Sequence, residues 1–165
     1  MKTIHATLRK LTDAAAIAAA FSFGNALAQV PATAPTTPGA VFVSIGDKSA
    51  VSYDSPSRQG AKQFIYSRFH PLEVLVRVSG WTKVRDADGG VGWVENAAIG
   101  AKRFVMAQGG TAQVRATAQF TAPVAFEAER GVVLEVTGPV ADGWLPVAHA
   151  GGQAGFVRIN QVWGN

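Results

Sequence analysis

Residues 72–81 read Leu-Glu-Val-Leu-Val-Arg-Val-Ser-Gly-Trp, and this stretch decides the fold. Every second residue from 72 to 78 is Leu or Val, which is the period of a β-strand and not of a helix. The Leu-Glu-Val start recurs at residues 134–136, and the Gly-Trp end recurs at residues 143–144. A strand that occurs twice in one chain indicates a duplicated unit.

The duplication extends over the whole chain beyond about residue 40. A shift of 62 residues aligns Phe42 with Phe104, and one inserted residue then changes the shift to 63, which aligns Val94 with Val157. An ordered series of matches with a single insertion is typical of tandem modules. We therefore predict two domains, residues 41–102 and residues 103–165.

Each copy is expected to form a small, closed β-structure. About five short strands per copy are separated by turn residues, such as the Asp and Gly residues of 86–90, which predict a hairpin. Closing the strands into a barrel hides the core and removes most sheet edges. Because so small a unit buries only about 60% of its unfolded surface, packing the two copies together would stabilise both.

The first 28 residues have the pattern of a secretory signal peptide. Basic residues precede an apolar run at 14–21, and Ala-Leu-Ala at 26–28 predicts cleavage between Ala28 and Gln29. The apolar run is too short to span a bilayer. Residues 29–40 contain three prolines and three threonines, which predict a flexible linker. We expect a periplasmic or secreted protein without membrane attachment after processing.

Composition argues against several function classes. The chain has no cysteine, which excludes disulfides, thiolate nucleophiles and a lipidated N-terminal cysteine. The formal charge of +4 falls to about +2 when residues 1–28 are removed with three basic residues and one acidic residue. So small a charge is weak for a nucleic-acid-binding protein, and we expect no nucleic-acid partner.

We found no catalytic or metal-binding pattern in the sequence. His70 and His149 lack acidic neighbours at ligand spacing, and no Gly-x-Ser-x-Gly motif is present. Residues 86–89 resemble the start of a calcium loop but lack the Glu at position twelve, so they are interpreted as a turn. The expectation is a protein that is not an enzyme and has no metal or cofactor.

The order of motifs in each copy resembles the bacterial SH3 domain family, in particular the tandem SH3 proteins that proteobacteria export. The likeness covers residues 41–165, and its motifs in this sequence are Ala50–Ser57, Leu72–Val74, Gly80–Val84, Gly92–Val94 and Gln161–Gly164. The resemblance implies an all-β protein with two tandem SH3-like small β-barrels. It also implies binding modules for cell-wall peptides or for proline-containing partners.

The candidate ligand site lies in the first copy. Its aromatic residues can be interpreted as barrel packing or as a stacking platform for an extended peptide or sugar. Tyr53 and Tyr66 fit a groove rim because their hydroxyl groups are polar. The second copy has lost rings, with Arg115 in place of Tyr53 and Phe156 in place of Trp93. The predicted ligand-binding residues are Tyr53, Tyr66, Trp81, Lys83, Arg85 and Trp93.

Two functions remain open from the sequence. One is a recognition module for peptidoglycan stem peptides or an extended partner segment, and the other is a protein-protein adaptor of an envelope complex. If the first copy binds the ligand, Tyr53→Ala combined with Arg85→Ala is expected to weaken binding and leave the fold intact. The ligand, the oligomeric state and the orientation of the barrels do not follow from the sequence.

Overall fold

Short antiparallel strands make up most of the regular structure of residues 39–165, which are the residues that the computed structural model describes. The predicted signal peptide at residues 1–28, its cleavage site between Ala28 and Gln29, and nearly all of the linker at 29–40 lie outside the described residues. Among the described residues, no helix is long and apolar enough to cross a membrane.

The first copy forms a six-stranded sheet. Its strands are β1 Val41–Ser44, β2 Ala50–Tyr53, β3 Lys62–Tyr66, β4 Pro71–Val78, β5 Trp81–Arg85 and β6 Val91–Glu95. They are ordered β1-β4-β5-β6-β2-β3, and a 310 helix at Asn96–Ala98 follows.

The second copy forms a seven-stranded sheet with the same order of equivalent strands. Its strands are β7 Phe104–Ala107, β8 Ala112–Arg115, β9 Val124–Ala128, β10 Val133–Val136, β11 Trp144–Ala148, β12 Ala154–Arg158 and β13 Val162–Trp163. The order is β13-β7-β10-β11-β12-β8-β9, with a 310 helix at Ile159–Gln161. The prediction of an all-β fold with one unit for each copy is confirmed.

Each sheet curves around its own apolar core, because alternate side chains point inward. In β5, Thr82 and Val84 are fully buried, whereas Trp81, Lys83 and Arg85 face outward and are half-buried. Leu72 and Val94 complete the centre of the first core. Burial of each such aliphatic side chain contributes about 1.5–3 kcal/mol.

The two copies pack against each other through aromatic contacts. Phe42 meets Trp163 edge to face at 5.1 Å between ring centroids, and Phe69 stacks on Phe104 at 4.5 Å. The Phe104 backbone N–H donates to Ser44 Oγ at 2.9 Å. These contacts agree with the expectation that two small units stabilise each other by packing.

The inserted residue of the second copy falls at the end of a strand. Strand β4 continues for eight residues to Val78, whereas its counterpart β10 ends after four residues at Val136. The strand stops before Thr137, Gly138 and Pro139, because proline has no backbone N–H to donate to a neighbouring strand. The second hairpin is therefore shorter and more irregular than the first.

Candidate functional site

Five of the six predicted ligand-binding residues lie on one outward side of the first sheet, and four of them form a candidate site there. Trp93 on β6 lies opposite Lys83 on β5 and opposite Tyr53 on β2. Directly opposite residues in antiparallel strands project to the same side of the sheet, and Trp81 follows at the next outward position of β5. We call Tyr53, Trp81, Lys83 and Trp93 the first-barrel face.

The rings of this face form a supported platform. Tyr53 is only 9% exposed and meets Trp81 edge to face, with 5.6 Å between ring centroids. The Lys83 Nζ lies 5.9 Å from the centre of the Trp93 ring, which is the range of a cation–π contact. Trp81 and Trp93 are half-buried, so part of each indole faces solvent. Tyr53 therefore supports the platform from below and does not form a groove rim, so that prediction is wrong for Tyr53. The two tryptophans and Lys83 offer the accessible surface.

A loop from residue 54 to residue 61 is fastened beside the face. Arg58 donates two hydrogen bonds to the Glu95 carboxylate, at 2.9 Å and 2.6 Å, and Glu95 lies opposite Trp81 in the strand register. This hydrogen bond lowers the pKa of Glu95 and raises the pKa of Arg58. Sequence reasoning missed the pair, because 37 residues separate its members and no local motif links them.

Tyr66 does not lie on a groove rim, and that prediction is wrong. Its side chain is 4% exposed within the first core, because Tyr66 pairs with the inward-facing Ala50. The Tyr66 hydroxyl donates to Asp86 Oδ2 at 3.2 Å, and the ring stacks on His70 at 5.1 Å. Burial, and then the nearby Asp86 carboxylate, raise the pKa of Tyr66. Its polar tip is satisfied inside the protein rather than by a ligand.

Arg85 is engaged within the fold. Its Nε and Nη2 donate to Glu73 Oε2 at 2.9 Å and 2.6 Å, and Glu73 is 4% exposed. Arg85 is thus the counter-charge of a buried carboxylate, and its loss would leave that charge unpaired. The expectation that Arg85→Ala leaves the fold intact is at odds with this contact. Arg85 lies on the same side of β5 as Trp81 and Lys83, but its guanidinium is held by Glu73 and is not part of the first-barrel face.

The second sheet covers the equivalent position differently. Trp144 aligns with Trp81 but is only 4% exposed. The Arg158 guanidinium lies 5.2 Å from the Trp144 ring centre and 5.0 Å from that of Phe120. Arg115 takes the place of Tyr53 opposite Phe156. The second sheet therefore buries the ring that the first sheet leaves accessible.

The two histidines of the described residues serve local roles. The imidazole of His70 is half-buried and stacks on Tyr66, and its burial lowers its pKa. The Gly151 N–H donates to His149 Nδ1 at 3.2 Å within a hairpin turn. In residues 39–165 no three His, Cys, Asp or Glu side chains cluster in a way that could hold a metal ion. Neither histidine therefore contributes to the first-barrel face.

The turn at residues 86–90 has the geometry of a hairpin connection. Asp86 Oδ1 accepts hydrogen bonds from the N–H groups of Asp88 and Gly90, at 3.1 Å and 2.7 Å. The Asp86 backbone N–H donates to the Gly90 carbonyl at 2.9 Å. Gly89 has φ 89°, a conformation that favours glycine. The Asp carboxylate thus closes the turn and anchors Tyr66.

Comparison with known proteins identifies both copies. Residues 46–100 and residues 108–164 each match the family described as bacterial SH3 domain, which confirms the predicted pair of SH3-like units. No curated protein matches the chain.

Among solved structures, the chain is similar to NlpC2 from Trichomonas vaginalis, at 8% identity and a TM-score of 0.36 over 78% of this chain and 49% of that one. NlpC1 from the same organism matches at 10% identity and a TM-score of 0.35, over 80% of this chain and 48% of that one. An NlpC/P60 family protein from Bacillus cereus matches at 12% identity and a TM-score of 0.34, over 74% and 55%. The chain thus spans about half the length of each of these proteins.

Proposed function

The chain belongs to the bacterial SH3 domain family, and on this premise we propose that it is a non-catalytic recognition module of the cell envelope that binds peptidoglycan stem peptides. The family match covers residues 46–100 and 108–164, which contain every strand of the two sheets except β1 and β7. We also propose that residues 1–28 direct export and are removed after Ala28. The protein then acts in the periplasm or outside the cell.

The observation that carries the proposal is the first-barrel face. Two tryptophan rings are partly open to solvent, and Tyr53 and the neighbouring strands hold them in place. Rings that are already fixed give contact area to an extended peptide at little entropic cost. Lys83 adds a cation next to Trp93, where a peptide carboxylate can be bound. An extended, carboxylate-bearing peptide matches both features.

The packing between the sheets favours a second candidate, an adaptor or accessory subunit of an envelope complex. The contacts of Phe42 with Trp163 and of Phe69 with Phe104 are suited to holding two modules together as a scaffold. An adaptor would bind an envelope protein and would not need to touch the cell wall. Binding of a purified stem peptide distinguishes the two functions.

The test is a fluorescence titration of the mature protein with a soluble stem peptide. The variant Lys83→Gln with Trp93→Phe removes the cation and installs the ring that the second copy carries as Phe156. If these residues are hot spots, each loss costs about 1–2 kcal/mol, so affinity should fall at least tenfold.

The matched control is Arg158→Gln, at the position of the second sheet that corresponds to Glu95. It should leave the affinity unchanged. If the control weakens binding and the first-barrel variant does not, the assignment of the site is wrong. If neither the wild type nor any variant binds the peptide, the adaptor is the better account.

A further inference from the structure

A cleft of about 760 Å³ opens between the two sheets. None of the four residues of the first-barrel face lines it. Its apolar lining includes Phe69, Phe104 and Val133, and Arg68 and Asp47 also line it. Its volume falls in the range of roughly 300–1,000 Å³ that small-ligand sites occupy, and such sites are common at domain interfaces.

Phe69, which lines the cleft, has an unfavourable backbone conformation. Phe69 has φ 68°, which a bulky side chain rarely adopts. The aligned residue of the second copy is Gly131, with φ 88°. The Phe69 N–H donates to the Ile45 carbonyl at 3.1 Å, just as the Gly131 N–H donates to the Ala107 carbonyl at 3.0 Å.

The turn conformation therefore belongs to the fold, and glycine is the residue that suits it. Phenylalanine occurs only in the first copy, where its ring stacks on Phe104 and lines the cleft. Backbone strain of this kind is concentrated at functional sites. Ligand binding in the cleft would account for a phenylalanine at this strained position.

Two opposite charges border this apolar surface. The Phe69 N–H also donates to the Gly46 carbonyl at 3.2 Å, which holds the turn with Arg68 beside the loop with Asp47. Within residues 39–165, neither Arg68 nor Asp47 forms an ion pair, whereas Lys102 at the same cleft pairs with Glu135 at 2.8 Å. The Arg68 guanidinium lies 5.4 Å from the centre of the Phe69 ring, so the cleft presents one cation beside its apolar lining and one anion that no ion pair neutralises.

The second copy does not reproduce this arrangement. Gly109 takes the place of Asp47, and Arg130, which takes the place of Arg68, pairs with Asp88 at 3.1 Å. The duplicated unit therefore provides an internal comparison. The apolar wall, the unpaired cation and the unpaired anion occur together only on the side of the first copy.

We propose that the cleft between the sheets binds a short zwitterionic peptide with an apolar side chain. Its carboxylate pairs with Arg68, its ammonium group pairs with Asp47, and its side chain contacts the apolar lining around Phe69 and Val133. Charge complementarity at both ends and an apolar centre select this ligand over a singly charged one. The site is separate from the first-barrel face and does not depend on the function of that face.

The experiment is an NMR titration of the full mature chain with the tripeptide Ala-Leu-Ala. Three forms are compared: both termini free, the amine acetylated, and the carboxylate amidated. Only the free peptide should shift the backbone amides of residues 45–47, 100–102 and 148–150. Arg68→Gln and Asp47→Asn should each lower the affinity about tenfold, the usual effect of a lost charge-assisted hydrogen bond.

Two further variants complete the test. Arg77→Gln changes an exposed arginine outside the cleft and should leave the affinity unchanged. Phe69→Gly installs the residue of the second copy, so it should keep the fold and lose the peptide. The proposal is overturned if the free peptide shifts no cleft amide, if a blocked peptide binds equally well, or if Arg77→Gln weakens binding as much as Arg68→Gln.

Discussion

Replacing Arg85 with alanine should destabilise the first sheet, because it removes the counter-charge of a buried carboxylate. Both hydrogen bonds from Arg85 reach the same oxygen of Glu73, which is 4% exposed. Breaking a buried ion pair from one side costs about 3–5 kcal/mol. The Arg85 side chain is 32% exposed, so water can partly replace it, and the expected loss is about 2–3 kcal/mol.

Thermal unfolding followed by circular dichroism measures this loss. With a shift of about 4 °C for each kcal/mol in a protein of this size, Tm should fall by about 10 °C. Arg77→Ala, an exposed arginine on the neighbouring strand, is the matched control and should change Tm little.

Adding Glu73→Gln to Arg85→Ala should recover part of the stability, because no buried charge is then left unpaired. A melting temperature for Arg85→Ala equal to that of the Arg77→Ala control would show that Glu73 does not need its partner. That result would also mean that Arg85→Ala can be used in a binding assay without destabilising the fold.

Three further predictions follow from buried groups and from the N-terminus. Burial lowers the pKa of His70 from its ordinary value of 6.5, so the unfolded chain binds a proton more readily and the free energy of unfolding should fall as pH drops below about 6.5. Urea unfolding between pH 7 and pH 5 should show this fall, and His70→Gln should make the free energy of unfolding depend less on pH. Trp163→Ala should lower the free energy of unfolding by about 3–5 kcal/mol, because a fully buried ring that contacts Phe42 of the other sheet is lost; a loss below about 1 kcal/mol in urea titration would contradict the packing. Intact-mass measurement of exported material should find a chain that begins at Gln29, and a product that retains residues 1–28 would refute the proposed cleavage.

The repeat made most of the fold predictable. The matched strands at residues 72–81 and 134–144 predicted two β-units, and the structure has one sheet in each copy. Four of the six predicted ligand-binding residues also lie together on one side of the sheet, although Tyr53 supports the rings, and their binding of a ligand stays a prediction. These successes share a cause: period and register are local properties that the sequence displays directly.

The failures concern contacts between distant residues. Tyr66 was assigned to a rim because its tip is polar, but an Asp86 carboxylate 20 residues away satisfies that tip inside the core. Arg85 was assigned to a ligand because it is basic, but Glu73 lies directly opposite on β4. The φ of Phe69 could have been suspected from its alignment with Gly131, whereas its stacking on Phe104 needed the packing of the two copies.

Retention of the mature protein on purified cell-wall sacculi tests the central proposal most directly. The wild type and Arg158→Gln should remain bound in low salt, and excess soluble stem peptide should elute them. The Lys83→Gln, Trp93→Phe variant should be retained at least tenfold less, although it melts like the wild type. Wild-type protein that flows through in low salt, or equal retention of the variant, would contradict the assignment of cell-wall binding to the first-barrel face.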